Sequence, residues 1–574
     1  MSATHSHIRP NTYLFLRLLT ETLKLVEIKL NTIVEVGKLG SFPSNLLVGR
    51  PYYHTYEILE KKEGELYSRL RIVPPAELHA EAGLDDAPTP TESREDTATP
   101  VPGDALPTSH DLLSEEEAKN NRLTVDDASR QQLTHAAIEE LKKSAGGKEV
   151  IERILANHKG LDEKTAFAKA KYMARKNKKY LKRFTALPMD LGELIDYVME
   201  KEPPRIMEMR EEALGLVGAW SHAHFSSFDV PETGKGIGGR WLVIDEAGGL
   251  VVAGLAERMN LLYPPLPKDK DSKQSNGALS ADNGDGDVTM EENQPVSNGT
   301  ARSAKPSHRD FPPPATTNSI TLLHPAVQPN LSLLKYFGYD TSNPERPGDI
   351  EEEHPLHTHL KHLSWLQLLH PEEDPTYTEP ESVTEDVLAS WKSGKRGNYY
   401  KKRRRWSRCK AIVDETRAGG FEGLVIASHM DPVSILEHTV SLVRGGGHII
   451  IYSPTIEPLV KAVDMYSKER RSAYIAHLSK GEIPDAEDFP VDPRLLLAPS
   501  VQTSRVREWQ VLPGRTHPLM TSRGGAEGYV FTARRAIPLE GGVEARGVFS
   551  AKKRRVAATN TSTEDSTATT ATPS

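Results

Sequence analysis

Apolar positions recur along this chain with two different periods, and the places where the period changes divide it. Between residues 8 and 73 they come in short strand-like runs: TYLFLRL, LKLVEIKL, TIVEVG, YHTYEIL and LYSRLRIV. Asn31, Gly37, Gly40, Pro43, Gly49, Pro51 and Gly64 separate them. Short runs of this kind, bounded by turn residues, predict a small β-barrel or meander over residues 8–75. From Asp126 the spacing turns helical, in SRQQLTHAAIEELKK, KEVIERILANH, DEKTAFAKAKYMARKNKKYLKRFTAL and LGELIDYVME. These segments predict a helical, basic region over residues 126–200.

Residues 205–547 read as an α/β domain. EEALGLVGAW is helical, and RWLVIDEAGGLVVAGLAERM reads strand, glycine turn, helix. From Phe421 to Pro454, FEGLVIASHMDPVSILEHTVSLVRGGGHIIIYSP reads as two buried parallel strands bridged by a helix. Such βαβ units build open parallel sheets whose strand ends hold cofactors and reacting groups. Three stretches break the pattern. Residues 76–120 are acidic, with twelve Asp or Glu and one Arg between positions 76 and 117, and cannot bury a core. Residues 263–318 are of low complexity, and 341–400 are Pro-, Glu- and His-rich, an expected irregular loop. The tail 548–574 is polar and expected to be disordered. The fold class expected is therefore multidomain α+β: the small barrel, a helical linker, and a Rossmann-like α/β domain carrying long disordered insertions.

Charge changes the picture because it is segregated. The formal net charge is −8, yet from Lys164 to Phe184 there are nine Lys or Arg and no acid. Phe167, Ala170, Ala174, Leu181 and Phe184 fall near one face, leaving Lys164, Lys169, Lys171, Arg175, Lys176, Lys178, Lys179, Lys182 and Arg183 as a positive stripe. Such a stripe can follow a phosphate backbone; the alternative is a solvated helix face. A second segment, GKRGNYYKKRRRWSRCK (394–410), interleaves Lys401, Lys402, Arg403, Arg404 and Arg405 with Tyr399, Tyr400 and Trp406, which could stack on exposed bases. It also reads as a flexible basic loop or an import signal. In the tail, Lys552, Lys553, Arg554 and Arg555 suit a nuclear import signal.

The single cysteine, Cys409, excludes an internal disulfide and a Cys-based zinc site, which suits the cytosol or nucleus. No run approaches the apolar length of a membrane span, and NTYLFLRLL is too short and interrupted for a signal peptide. His354, His357, His359 and His362 do not share one helical face, so a polar loop is expected there rather than a metal site. In VIDEAGGLVVAGLAERM, Gly248-Gly249 runs at once into Leu250-Val251-Val252, a loop too short and apolar to cradle an adenosyl cofactor, although Asp245 and Glu246 could meet a ribose. The first strand of the Phe421 unit ends on Ala427, Ser428, His429 and Met430, a poor set for catalysis.

The chain resembles the family of non-catalytic subunits of the eukaryotic tRNA (adenine-58-N1) methyltransferase. VEVGKLGSFPSNLLVGRPYYHTYEIL (34–59), SRQQLTHAAIEELKK, DEKTAFAKAKYMARKNKKYLKRF, DEAGGLVVAGLAERM, IASHMDP, IIIYSPTIEPL and WQVLPGRTHPLM (509–520) carry the resemblance, in the family's order. It implies a class I methyltransferase-like domain that no longer binds S-adenosylmethionine. It also implies pairing with a catalytic paralogue, two of each subunit, with the cofactor on that paralogue. The product would be N1-methyladenosine in tRNA, and the location the nucleus. Read back from Gly445-Gly446, the family's catalytic aspartate falls at about Ala427, and Asp431 is a weak substitute. Arg515 and His517 become candidates for an RNA-facing or interface edge, while Ile449, Ile451 and Tyr452 suit the core or a subunit interface. Two other functions stay open at this point: an autonomous S-adenosylmethionine-dependent RNA methyltransferase, and a translation-associated RNA-binding scaffold.

Overall fold

A computed structural model describes residues 6–61, 64–81, 131–144, 146–160, 166–225, 238–264, 314–341, 354–506, 509–512, 515–518 and 526–538. The first apolar runs form β1 (Thr12–Leu18), β2 (Leu23–Ile28), β3 (Ile33–Glu35), β4 (Ser41–Pro43), β5 (Thr55–Ile58) and β6 (Leu70–Ile72). β7 (Arg183–Pro188) follows only after the helices Pro75–Glu81, His135–Ser144, Gly147–Ala156 and Ala166–Tyr180. The resulting antiparallel sheet has the order β2-β1-β7-β5-β6, with β3 and β4 as a separate ribbon. Phe15 aside, the alternating side chains of β1 (Leu14, Leu16) meet Ile28, Phe42, Tyr56, Phe184 and Ala186 in one core.

β7 corrects the sequence expectation. Residues 181–187 were expected to continue the basic helix, but the helix stops at Tyr180 and the chain enters the middle of the N-terminal sheet, between β1 and β5. The expected barrel or meander is an open antiparallel sheet with β2 and β6 at its edges. Phe184 stacks between Phe42 and Tyr56, with centroids 5.4 and 5.6 Å away. Burial of that ring overrides the local helical pattern.

The α/β domain holds a seven-stranded sheet of β8 (Arg240–Asp245), β9 (Ser319–His324), β10 (Leu360–Ser364), β11 (Phe421–Ala427), β12 (Val443–Ser453), β13 (Leu496–Gln502) and β16 (Tyr529–Arg535). Between β13 and β16 in the sequence, β14 (Trp509–Leu512) and β15 (Arg515–Pro518) form a separate hairpin. The order is β10-β9-β8-β11-β12-β16-β13, parallel through β12 and antiparallel at β16. The chain leaves β8 toward β10 and returns to β11, so the strand order reverses between β8 and β11; in such sheets ligands lie outside the strand ends at that point. The expected strands GLVIAS and HIIIYSP are therefore present as β11 and β12, as are the strand-turn-helix of β8 and the helix Glu211–Trp220.

Residues 354–400, expected to be an irregular loop, contain the edge strand β10, the helices Leu356–His359, Trp365–Leu369 and Glu385–Ser390, and the start of the helix Ser393–Arg417. One continuous apolar core joins the two domains. Phe15, Leu23 and Leu187 of the N-terminal sheet pack in the same cluster as Val243, Val252, Leu333 and Val530. The stretch 76–120, expected to be disordered throughout, begins instead within the helix Pro75–Glu81, where Glu77 pairs with Arg71, Lys148 and Arg183. Residues 82–130, 265–313 and the tail lie outside the described residues.

Candidate functional site: a filled crevice and two basic helices

After β8 the chain turns through Gly248 and Gly249, both at positive φ (72° and 90°), where a side-chain-bearing residue would be strained. The helix Leu250–Arg258 then begins. Its exposed N–H groups are what would receive an anionic or adenosyl ligand. Here they are met from inside the fold. Asp245 accepts from the Ala247 N–H at Oδ1 (2.8 Å) and from the Val252 N–H at Oδ2 (2.9 Å), and is buried. Burial pushes its carboxyl up to about 6, against the pull of those backbone donors. Neither oxygen is left for a ribose.

The open side of the same turn is filled. Leu333 donates its backbone N–H to the Gly248 carbonyl at 3.1 Å, and a Cβ at Gly249 would come within 3.2 Å of the Leu331 backbone. Leu331, Leu333, Leu334 and Phe337 are all buried. Beside them, Tyr336 meets Tyr13 of β1 edge-to-face at 5.3 Å, so the N-terminal sheet backs the plug. The adjacent strand β9 ends on His324, where the fold's dinucleotide-binding members place an acid for the ribose. His324 is buried, its Nδ1 lies 2.7 Å from the Ala326 carbonyl, and burial lowers it to about 4. The residues present do not fit an adenosyl cofactor.

Across the switch point, β11 ends on buried Ala427. Glu246 ties the two strand ends together: its N–H donates to the Ala427 carbonyl (2.9 Å), and its Oε2 accepts the His429 N–H (2.8 Å). Asp431 caps the helix Pro432–Thr439 and pairs with Lys461 at 2.6 Å. An open cleft of about 540 Å³ remains here, lined by Met207, Ser428, Met430, Asp431, Tyr452 and Lys461 among others. Its two lining carboxylates are engaged, Asp431 by Lys461 and Glu457 by a hydrogen bond with the Thr455 side chain, and the methyl group of Ala427 can accept no proton.

Of the first basic segment, Lys164 lies outside the described residues, and the rest differ in burial and pairing. Arg183 is 1% exposed; its guanidinium meets Glu77 at 2.7 Å and Glu57 at 3.5 Å, so it is a core ion pair rather than a surface contact. Lys182 pairs with Glu60 at 2.6 Å. Lys176 lies over the rings of Tyr172 (4.8 Å) and Tyr180 (5.9 Å), and burial followed by the charge of Lys179 lowers its pKa. Lys179 lies 5.4 Å from the Tyr180 centroid and Lys178 is 3.8 Å from Glu21. Lys169 and Arg175 are exposed and Lys171 half-buried. The expected apolar face is corrected too, since Ala174 is exposed and Tyr180 and Leu181 anchor the helix. β14 runs beside this helix, which brings the backbone of the Arg515–Pro518 strand, with Arg515 and His517, into the same neighbourhood.

The second basic segment is a helix rather than a loop. In Ser393–Arg417 the packed stripe is Tyr399, Arg403, Trp406, Cys409, Val413 and Thr416, at three- and four-residue spacing. That spacing is visible in the sequence but is masked by the polar residues within it. Its C-terminal end packs on β10 and the helix Trp365–Leu369. Two of the three aromatics are engaged by the fold: Trp406 Nε1–H donates to the Tyr377 carbonyl (3.1 Å), and the Tyr399 hydroxyl accepts from Arg403 (3.0 Å), while Tyr400 is exposed. Lys401, Lys402, Arg404, Arg405 and Arg408 are exposed, and none has a carboxylate within ion-pair distance among the described residues. The tail cluster Lys552–Arg555 lies outside the described residues.

The histidines of 354–362 are structural. His354 Nε2 lies 2.8 Å from the Leu262 carbonyl and burial lowers it to about 4. His359 Nδ1 lies 2.7 Å from the Asn318 carbonyl, and His362 sits on β10. No group of three or more potential metal ligands occurs among the described residues.

Comparison with known proteins gives three findings. Residues 7–392 match the model of the Gcd10p family. The chain is 45% identical to the tRNA (adenine(58)-N(1))-methyltransferase non-catalytic subunit trm6 of Aspergillus fumigatus, covering 96% of each chain. It is 27% identical to the Debaryomyces hansenii protein named the same way, over 96% of this chain and 90% of that one. Among solved structures it is similar to tRNA (m1A58) methyltransferase TrmI of Aquifex aeolicus, at 8% identity and a TM-score of 0.34, covering 93% of this chain and 100% of that one; a likeness that distant carries no argument.

Proposed function

The chain belongs to the Gcd10p family, and from that premise we propose that it is the non-catalytic, tRNA-binding subunit of a tRNA N1-methyladenosine-58 methyltransferase. Its partner is a catalytic paralogue, with two copies of each subunit in the assembly, and S-adenosylmethionine sits on that paralogue alone. The single observation that carries the non-catalytic part is the filled crevice. Asp245 is consumed by its own turn, and Leu331 and Leu333 lie where a cofactor would. Ala427 ends the strand from which a base would act.

The binding part rests on charge. Exposed cations on Ala166–Tyr180 and Ser393–Arg417 give the chain two surfaces for an RNA backbone, and Arg515 and His517 stand beside the first. The Lys552–Arg555 cluster supports a nuclear location. The names of the relatives support the same assignment.

The test is transfer of labelled methyl groups from S-adenosylmethionine to tRNA, by the full chain alone and after co-expression with the catalytic paralogue. Silence alone and transfer by the pair is the expected result. Transfer by the purified chain alone sinks the proposal, because no residue of the crevice would then account for it.

A further inference from the structure

We propose that Lys401, Arg404, Arg405 and Arg408 on the helix Ser393–Arg417 form a contact surface for the phosphates of duplex RNA, and that the bound polyanion completes the stability of this helix. This rests on the RNA-binding function proposed above and deepens it.

The helix is electrostatically built against itself. Lys395 and Arg396 occupy its first turn, where the macrodipole favours acids, while the last turn, where it favours cations, holds Asp414 and Glu415 beside the one favourably placed Arg417. Between Lys395 and Lys410 there are nine Lys or Arg and no acid. Lys401 with Arg404 and Arg405, and Arg404 with Arg408, are like-charge neighbours at three- and four-residue spacing, which repel. Gly394, Gly397 and Asn398 add poor helix formers to the same half. Among the contacts that hold that half are Trp391 edge-on to Tyr399 at 5.9 Å, the Val383 N–H and Arg403 donating to the Tyr399 hydroxyl (3.3 and 3.0 Å), and the Trp406 hydrogen bond to Tyr377. Lys395 and Lys410 lie over the rings of Trp391 and Trp406 (4.0 and 5.6 Å), and Arg403 lies 3.9 Å from Glu379. Lys401, Arg404, Arg405 and Arg408, by contrast, have no carboxylate within ion-pair distance among the described residues, so their repulsion is what an external anion relieves.

The kind of anion follows from the aromatics. Recognition of a single strand needs open ring faces on which bases stack. Trp406 and Tyr399 are turned into the packed stripe, and Tyr400 alone of the three is 47% exposed, edge-on to Tyr399 at 5.6 Å. A straight row of cations without stacking platforms matches a backbone whose bases are already paired, the condition of a folded RNA's stems.

The experiment measures binding of the full-length chain to a short RNA duplex and to a single strand of equal length, over a series of salt concentrations. Wild type is compared with the set Lys401→Ala, Arg404→Ala, Arg405→Ala and Arg408→Ala. The expected result is a log–log salt slope for the duplex reduced by up to about 3.6, four contacts at about 0.9 each, with a smaller change for the single strand. The thermal midpoint of the variant does not fall, and in wild type the amides of 393–406 exchange more slowly once duplex is added. An unchanged slope overturns the inference, as does a lowered midpoint, which would make the stripe structural. An equal loss for the single strand also overturns it. Absence of RNA binding by wild type at every salt concentration is different: it overturns the RNA-binding function itself.

Discussion

At the end of β8 both carboxylate oxygens of Asp245 are taken by backbone N–H groups, and two leucines fill the space beside them. On the helix Ser393–Arg417 the opposite holds for Lys401, Lys402, Arg404, Arg405 and Arg408, which face solvent with no carboxylate within ion-pair distance among the described residues. The first region is where a fold of this topology ordinarily meets its ligand; the second is a helix on the flank of the sheet. A polar group satisfied inside the protein has little left to offer a ligand, whereas an unsatisfied surface charge does. The contrast teaches that binding capacity has to be judged by what remains unpartnered, not by where a fold conventionally keeps its site.

The comparison breaks most visibly at the plug. Leu333→Ala removes a buried side chain packed against the glycine turn and is expected to destabilise the protein by about 2–5 kcal/mol, measured by denaturant unfolding, with no affinity for S-adenosylmethionine appearing in calorimetry. Heat of cofactor binding in that variant would show a site merely blocked rather than lost. Next in size, Asp245→Asn takes away one acceptor and sets an amide N–H₂ against a backbone donor. A cost of about 1–3 kcal/mol is expected, and an unchanged stability would mean that the carboxylate is not what holds the turn.

A smaller effect separates the two buried titrating groups by sign. His324 is lowered to about 4 from an ordinary 6.5, so the unfolded chain binds the proton more tightly and stability falls as pH drops through that window. The ring of His362, at 5.6 Å, adds to the lowering caused by burial, while the Ala326 carbonyl opposes it. One proton contributes at most about 1.4 kcal/mol per pH unit. His324→Asn should flatten the acid limb of the stability curve by up to that slope. Asp245, raised to about 6 from 3.8, works the other way: its contribution is present at low pH and lost as pH rises toward 6. Asp245→Asn should therefore steepen the acid limb. Urea unfolding midpoints between pH 4 and 7 read both, and a change of the wrong sign in either variant removes that group from the account.

Much of the architecture was legible because it is locally encoded. The runs TYLFLRL and LKLVEIKL became β1 and β2, and the strand, glycine turn and helix from Trp241 to Met259 appear as expected. Ala427 at a strand end needed no structure to be recognised as chemically inert. The basic stretches were harder. Arg183 and Phe184 continue a helical, cationic pattern in the sequence, yet they pair with strands more than a hundred residues earlier. Tyr399, Trp406 and their neighbours alternate with cations in a way that suited base stacking, until the segment 371–391 folded over them. The plug at Leu331–Phe337 had no motif at all, since its meaning lies in what it touches.

The sequence by itself determined which residues could not do chemistry, where the cations are, and which segments have the period of a strand or a helix. These are properties of residue type and short-range spacing. Only the tertiary structure decided which cations are spent. Arg183 is locked against Glu57 and Glu77 while Arg404 faces solvent, although both stand in equally basic stretches. The reason is physical: a charge is neutralised by whatever long-range pairing places within a few ångströms of it, and chain topology sets that distance independently of the local pattern.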